Sequence, residues 1–543
     1  MARARVSKPE RRIKASGPAP DPVRLEVFHQ LLAAHCEEAG AVLQRSAASP
    51  NIRERRDFSV ALFDAEARLV AQAAHIPVHL GSAADSVAAA REELELEPGD
   101  VVMLNDPYRG GTHLPDVTLV RPVFLPREVR PRFFLVDRAH HADIGGAVPG
   151  SMAAAADLMA EGLVIPPVKL RSRGRENRDL RRLFLANVRG ADERRVDLAA
   201  QEAALERLEA RVLGLLDEHG VATVEDYAAH LMAYSERIAR DVVRRLPSGR
   251  FSAEDRLDDD GLGNGPFAVR LALQRRGGVL HFDWSRSADQ ARGGINANRS
   301  IVVAASVYVL RCLCPERLPT NDGVFRALRV TTRPGSLLEP RAPAPVAGGN
   351  VETSQRLVDV GIAALARALP GRFPAASSGT MVNLTLGGEL ANGRGFASYE
   401  TLPGGAGAGP SAAGAAAIQT HMTNTRNTPI EDLERRLPLI VRELTVRRGS
   451  GGRGARRGGD GLTKTIELRG PAVVSLFAER MRSRPAGAEG GGAGAALRVT
   501  ATDRDGESVA LPAKCSARFP AGTRVRIATP GGGGHGVPRG RRR

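Results

Sequence analysis

His113 and Asp116 stand three residues apart in a stretch pinned by Gly110, Gly111 and Pro115. In a turn held that tightly, an imidazole and a carboxylate can converge on one ion. Two further imidazoles, His140 and His141, follow the apolar run Arg132-Phe133-Phe134-Leu135-Val136, which reads as a strand lying beside the one that leaves the turn. Side chains alternate along a strand, so only one of this pair faces the same point; the residues alone leave open which one. Glu54, just ahead of a hairpin signal, can add a second carboxylate. Divalent metals that activate water take such mixtures of imidazole and carboxylate and keep one position open. Five of the twelve histidines lie between His75 and His141. His75 and His79, in His75-Ile76-Pro77-Val78-His79, read equally as parts of a structural loop or as substrate contacts.

Other reactive patterns are thin. There is no Gly-x-x-x-x-Gly-Lys-Ser/Thr loop, so this chain shows no phosphate cradle of the Walker type. Cys312 and Cys314, at the end of a predicted apolar helix, read as core thiols. Gly531 to Gly534 are four successive residues with no side chain. They allow either close backbone approach to a site or a loose terminus.

The elements that must position these groups can be read from periodicity. Val23 to Leu43 repeats apolar residues at helical spacing. Residues 57–63 and 67–71 flank the polar turn Asp64-Ala65-Glu66 as two antiparallel strands. Strand signals at 100–104 and 117–124 bracket the loop from Asn105 to Asp116, which places the candidate ligands at strand ends. Residues 192–246 read as helical cover for the sheet. Strands follow at 269–273 and 279–284, helices at 300–312 and 353–369, and strands at 463–468 and 472–477. The segment 447–461 has almost no apolar content and reads as a flexible loop. The expected fold is α+β, with several mixed sheets under covering helices and a glycine-rich β region at the C-terminal end. Its expected divisions are a disordered basic tail over 1–22, a metal-binding α+β domain with helical cover over 23–248, a second α+β region over 249–380, and the glycine-rich region over 381–543.

The length of 543 residues suggests about three domains. Four cysteines without paired spacing argue against an oxidised, secreted framework and make a reducing cytoplasm the expected compartment. No uninterrupted apolar run is long enough to span a membrane. The net charge of +16 invites a nucleic-acid reading. Lysine, however, occurs only at Lys8, Lys14, Lys169, Lys464 and Lys514, so arginine supplies almost all the basic charge, and it is scattered. One Trp and five Tyr are too few for a groove that stacks bases. Neither a nucleic-acid nor a membrane partner is expected.

Several stretches together resemble one family, the B subunits of N-methylhydantoinases, which are similar to the C-terminal half of oxoprolinases and to the alpha subunit of acetone carboxylase. The resemblance is carried in order by Asn51 to Ser59, Asn105 to Asp116, His140 to Gly146, Gly293 to Asn298, Gly348 to Gln355, Gln419 to Pro429, and the glycine run at Gly531. Relatives carry an Asp-Gly pair where this chain reads Ala413-Gly414. The resemblance implies ATP-dependent opening of a cyclic amide, a hydantoin or a 5-oxoproline-like lactam, shared between two kinds of subunit. An A-type ATPase partner would use ATP to activate the carbonyl oxygen, and this chain would complete hydrolysis at a divalent metal, manganese or zinc before iron. It also implies metal ligands among Glu54, His113, Asp116 and His140 or His141. Catalytic carboxylates are expected at Glu54, Asp57, Asp106 and Asp143, and substrate contacts at Asn105, His75, His79, Asn350, Glu352 and Arg426. The alternatives are an acetone-carboxylase-like ligase subunit and an inactive scaffold of the same fold.

Overall fold

A computed structural model describes residues 20–73, 76–79, 81–152 and 154–538. His75 and nearly all of the expected basic tail lie outside the described residues.

The chain enters through α1 (Pro22–Ser46), capped by Asp21, whose side chain accepts from the Val23 N–H. Its apolar stripe, with Phe28, Leu32, Cys36 and Leu43 buried, packs on the first sheet. A single turn, α2 (Pro50–Arg53), leads into β1 (Phe58–Asp64) and β2 (Leu69–Gln72), the expected hairpin. Then come α3 (Ala83–Glu93), β3 (Val101–Leu104), β4 (Asp116–Val123), β5 (Phe133–His140), α4 (Leu158–Glu161), β6 (Val168–Ser172) and β7 (Arg175–Glu176). These strands form one antiparallel sheet in the order β2-β1-β5-β4-β3-β6-β7. The strand read over 132–136 continues to His140, so the first of the paired histidines belongs to the sheet. After α5 (Arg178–Ala186), the helical cover is two helices, α6 (Ala191–His219) and α7 (Val221–Arg244), broken at Gly220.

A second sheet follows, formed by β8 (Arg250–Leu257), β9 (Phe267–Arg276), β10 (Val279–Asp283) and, after α8 (Arg299–Arg311) and α9 (Asp322–Phe325), β11 (Leu328–Thr331). A π-helical turn over Gly349–Thr353 runs straight into α10 (Ser354–Ala368). Cys312 is exposed and Cys314 half-buried, because α8 ends before them; the expectation of core thiols is corrected.

The rest of the chain is mostly β. One sheet has the order β13-β12-β16-β19, from β12 (Asn383–Glu389), β13 (Gly395–Thr401), β16 (Ala472–Phe477) and β19 (Lys514–Phe519). Another has the order β14-β15-β20-β17-β18, from β14 (Leu439–Arg447), β15 (Gly461–Leu468), β17 (Arg498–Thr502), β18 (Ser508–Ala510) and β20 (Arg524–Ala528), with α11 (Ile430–Arg436) ahead of it. The mixed α and β architecture with several sheets agrees with the expected fold class.

Residues 447–461 are not a flexible loop. Together with residues 404–408, residues 486–495 and Ala376, they interlock around the run at Gly531. Gly452 donates to Gly532 O and Gly532 donates to Gly459 O, each at 2.9 Å. Gly405 donates to Pro530 O, Ala408 to Gly533 O and Gly534 to Gly492 O. Successive residues of the central segment thus bond to different neighbours around it. A Cβ on Gly531, Gly532, Gly533 or Gly534 would sit 2.0 to 2.2 Å from a carbonyl oxygen of Ser450, Ala406, Ala486 or Arg453 respectively. The tract is a close approach of backbone to backbone, and polar atoms that low apolar content would leave in water are satisfied within the bundle.

Candidate metal centre

The register of the first sheet places Asp116, at the start of β4, directly opposite His140, at the end of β5. The loop from Asn105 to Pro115 folds over this end and delivers His113. Its shape is fixed from inside and outside. The Asn105 amide donates to Leu114 O and Leu163 O and accepts from Ile165 N–H. From the second region, Asn298 donates to Pro107 O, Gly111 O and Thr112 O while its Oδ1 accepts from Ile301 N–H at the start of α8.

His113, Asp116 and His140 are buried, and each offers a ligand atom within 4.8 Å of the other two. His113 Nε2 lies 3.0 Å and His140 Nδ1 3.3 Å from Asp116 Oδ1. The second oxygen, Oδ2, accepts from Thr112 Oγ1 at 2.8 Å and from Asn350 Nδ2 at 3.2 Å, with His79 Nε2 at 3.4 Å. One oxygen is therefore held by the protein while the other faces two imidazoles. His113 Nδ1 lies 3.3 Å from Ala347 O, which suits the tautomer that leaves Nε2 bare. The Ala347 and Val346 N–H groups donate in turn to buried Glu161. Among the described residues, His113 Nε2 and His140 Nε2 make no hydrogen bond despite full burial. His113 Nε2 and His140 Nδ1, both turned towards Asp116 Oδ1, form with it a buried donor set that fits a divalent cation.

Electrostatics agree. Burial is the largest single influence on both Asp116 and His113 and opposes charge on each, but their mutual attraction and that of their neighbours together outweigh it. The carboxyl, helped by His79, is held well below its usual range, and the His113 ring is held above its own. Burial lowers His140 despite its bond to Asp116, and pushes Glu161 up to about 7.

The alternation expected of the paired histidines is resolved by the sheet. His140 faces Asp116, with its ring stacked on Tyr399 at 4.6 Å between centroids. His141 faces α6, where its Nε2 meets Gln201 Oε1 at 2.9 Å, and burial holds it down at about 4. Glu54 is not brought to the cluster; its carboxylate lies 3.4 Å from Arg53. Asp57 and His79 line the cavity beside Asp116 and His140. Asp106 caps its own turn by accepting from Tyr108 N–H, and Asp143 is consumed by Gly145, Gly150 and Arg189 N–H groups. Asn350 reaches the site from the π-helical turn, a distortion that often marks functional positions. Glu352 points away, accepting from Met381 N–H and Asn383 Nδ2. Arg426 is exposed, and its backbone N–H donates to Arg55 O.

Tyr399, Thr401, Met381, Met422, Thr423 and Glu161 escaped the sequence reading. The first five line the cavity or its edge from strands and loops hundreds of residues away. Arg55, fully buried, locks Tyr399 in place: its guanidinium sits 4.5 Å over that ring and donates to Tyr399 O and Thr401 Oγ1.

A family model described as hydantoinase B/oxoprolinase matches residues 21–538. The chain belongs to that family. It is 37% identical over 525 residues to an uncharacterised protein of Methanocaldococcus jannaschii, covering 95% of this chain and 91% of the relative. It is 36% identical over 526 residues to a 5-oxoprolinase of Dictyostelium discoideum, covering 95% of this chain but 40% of that protein. The chain thus spans about two fifths of the length of that 5-oxoprolinase. Among solved structures, an ATP-dependent caprolactamase from Pseudomonas jessenii superposes with a TM-score of 0.89 at 29% identity, covering 96% of this chain and 92% of that one. Acetone carboxylase shares the fold at the same TM-score and 16% identity, over 95% of this chain and 76% of that one. Among the described residues no helix is long and apolar enough to cross a membrane.

Proposed function

We propose that this chain is the ring-opening subunit of an ATP-dependent cyclic amide hydrolase, acting on a hydantoin or a 5-oxoproline-like lactam. A separate A-type ATPase subunit would activate the carbonyl, and the two would work as a cytoplasmic hetero-oligomer. The observation that carries the reading is the buried cluster of His113, Asp116 and His140 at adjoining strand ends.

Those three residues would hold a divalent ion, manganese or zinc before iron. When bound, such an ion would lower the pKa of water to roughly 7 and polarise a carbonyl. The chain's own residues set the stage around it. Thr112 and Asn350 orient the Asp116 carboxylate. Tyr399, held by Arg55, fixes the plane of His140. Asp57 lines the cavity and can accept a proton there. The cavity measures about 20 Å³, room for about one water, so the walls must part to admit a ring and then exclude solvent around it.

Division of labour follows from chemistry. An unactivated lactam is a poor electrophile with a poor leaving nitrogen, and this chain carries no Walker loop with which to bind ATP. The relative named as an ATP-dependent caprolactamase supports the same coupling. The test is to follow ring opening and ADP release with this chain alone, with a co-expressed A-type partner alone, and with both. Turnover is expected only with both subunits and ATP. Ring opening by this chain without ATP would make it a self-sufficient amidohydrolase and overturn the reading.

A further inference from the structure

Among the described residues five arginines are buried, and four of them answer a carboxylate. Arg55 lies 3.7 Å from Asp57, Arg194 3.3 Å from Asp197, Arg356 3.5 Å from Asp255 and Arg480 2.7 Å from Asp255. Arg138 is the exception: no described carboxylate forms an ion pair with it. Its guanidinium donates to Thr118 Oγ1 at 2.8 Å, to Ser86 Oγ at 2.9 Å and to Ser82 Oγ. These bonds use three of the five N–H donors that a guanidinium carries. Asp116 and Asp85 act on it only through space, and burial works against its charge. A buried charge met by hydroxyl dipoles alone is costly until an anion joins it.

The pleat of the first sheet sets this cation beside the metal centre. Residues two apart on a strand share a face, so Arg138 and His140 of β5 look to the same side as Thr118 and Asp116, their partners on β4. Ser59 of β1 stands opposite Arg138 in register. The start of α3 covers this face, and Ser82, which precedes that helix, gives it no side-chain cap. The helix end therefore adds partial positive charge of its own. Arg138, Ser59, Gln72 and His79 form the polar side of a cavity of about 20 Å³ with no carboxylate in its lining. His79 is also the one residue shared with the lining of the metal cavity. Its ring stands between the two, with Nδ1 2.9 Å from Ser59 Oγ and Nε2 3.4 Å from Asp116 Oδ2.

ATP activates a carbonyl by placing phosphate on its oxygen. Under the cyclic-amide reading, on which this inference rests, the ring therefore reaches this chain as an anion. We propose that the cavity at Arg138 is the subsite for that phosphate, with Arg138 as its counter-charge and His79 as the partition that moves aside to join the subsite to the metal cavity. A phosphate brings close to two negative charges and three strong acceptor oxygens. The planar fork of a guanidinium matches them, and Arg138 has two donors left for the purpose. Arg138 stands two residues along β5 from His140, a rise of about 7 Å. With the carbonyl carbon at the cluster of His113, Asp116 and His140, the phosphate attached to it extends along the strand towards that cation.

The experiment is calorimetric binding of two probes to the full chain loaded with manganese: inorganic phosphate, and 2-(phosphonomethyl)pyrrolidine, a stable ring phosphonate in which carbon replaces the bridging oxygen. Both are expected to bind, the ring phosphonate more tightly because its ring occupies the metal cavity. Arg138→Met is expected to weaken both at least about tenfold with manganese content unchanged. Arg138→Lys, which keeps the charge without the fork, should restore part of the loss. Ser59→Asp tests the same point without removing the arginine. It sets a carboxylate opposite Arg138, keeps an acceptor for His79, and should also weaken phosphate by about tenfold or more. His113→Ala, which strips a metal ligand, should leave phosphate affinity within about threefold. Binding that Arg138→Met and Ser59→Asp leave unchanged overturns the proposal, as does phosphate binding that disappears in His113→Ala. So does failure of both probes to bind, or a ring phosphonate that binds no better than phosphate. If binding depends on Arg138 but the two subunits with ATP open no ring, the cyclic-amide reading fails and Arg138 remains an anion site. If the two subunits open the ring while binding ignores Arg138, only this inference fails.

Discussion

At the residue scale, neighbouring histidines in one dipeptide have opposite fates because a strand sends them to opposite faces. His140 meets Asp116 at 3.3 Å, whereas His141 meets Gln201 on α6. Alanine at each position should therefore separate the two roles. His140→Ala is expected to lose most of the bound divalent metal by elemental analysis, with the chain still folded. His141→Ala is expected to keep its metal and lose about 1–3 kcal/mol of stability, since Gln201 Oε1 would lose its buried partner. If the metal followed His141 instead, the assignment of the cluster would be wrong. Glu54, at the C-terminal end of α2, lies 3.4 Å from Arg53, whereas Asp57, three residues later, lines the cavity.

At the scale of elements, the glycine-rich C-terminal region depends on backbone packing that admits no side chain. The central glycine run satisfies its N–H and C=O groups through four surrounding segments, so a Cβ at Gly532 would lie 2.0 Å from Ala406 O. Neither backbone can yield without breaking bonds to a third segment. Gly532→Ala should cost about 1–3 kcal/mol or more in chemical denaturation. Gly214→Ala is the contrasting case. It lies within α6 with nothing within 4 Å of the added carbon, and it should stabilise the chain by about 0.5–1 kcal/mol through helix propensity. Equal effects from the two substitutions would show that the bundle is not tightly packed.

Across the whole molecule, buried charges tie distant stretches of chain together. Lys514 donates to Glu479 at 2.5 Å, Arg480 reaches Asp255 at 2.7 Å, and Arg356 sits between Asp255 and Glu479. Glu352 lies at the edge of this network, fully buried, with no ion-pair partner among the described residues. Burial, reinforced by nearby Glu479, pushes its carboxyl up to about 8. An acid whose folded value exceeds its unfolded value of 4.5 holds its proton longer in the native state. Stability from this group is therefore unaffected below about pH 4.5, falls as pH rises from there towards 8, and then levels off. Glu352→Gln, which keeps the acceptor for Met381 and Asn383 without the charge, should match the unaltered chain near pH 4.5. At pH 8 it should unfold at a higher temperature, by an amount on the order of a few kcal/mol at ~1.4 kcal/mol per pH unit. A constant difference across that range would show that Glu352 does not titrate there.

The sequence by itself determined the elements and the short-range part of the site. Apolar periodicity marked α1, the first hairpin and the strands on either side of the Asn105–Asp116 loop, because burial of one face imposes a period that survives in the residues. The spacing of His113 and Asp116 lies within one turn, so their convergence was legible. Register was not. Which of His140 and His141 faces Asp116 depends on how β4 and β5 pair, and a slip of one residue exchanges the two. Nor could composition separate an interlocked glycine bundle from a loose loop over 447–461, since both are poor in apolar residues and differ only in where their backbone hydrogen bonds go. Tyr399 and Glu161 reach the site or its supports from stretches with no local signal of their own, whereas Asn350 was expected only through the family resemblance. Only the tertiary structure could bring them there, because the contacts that hold them join residues up to hundreds of positions apart, and no local pattern encodes such a pairing.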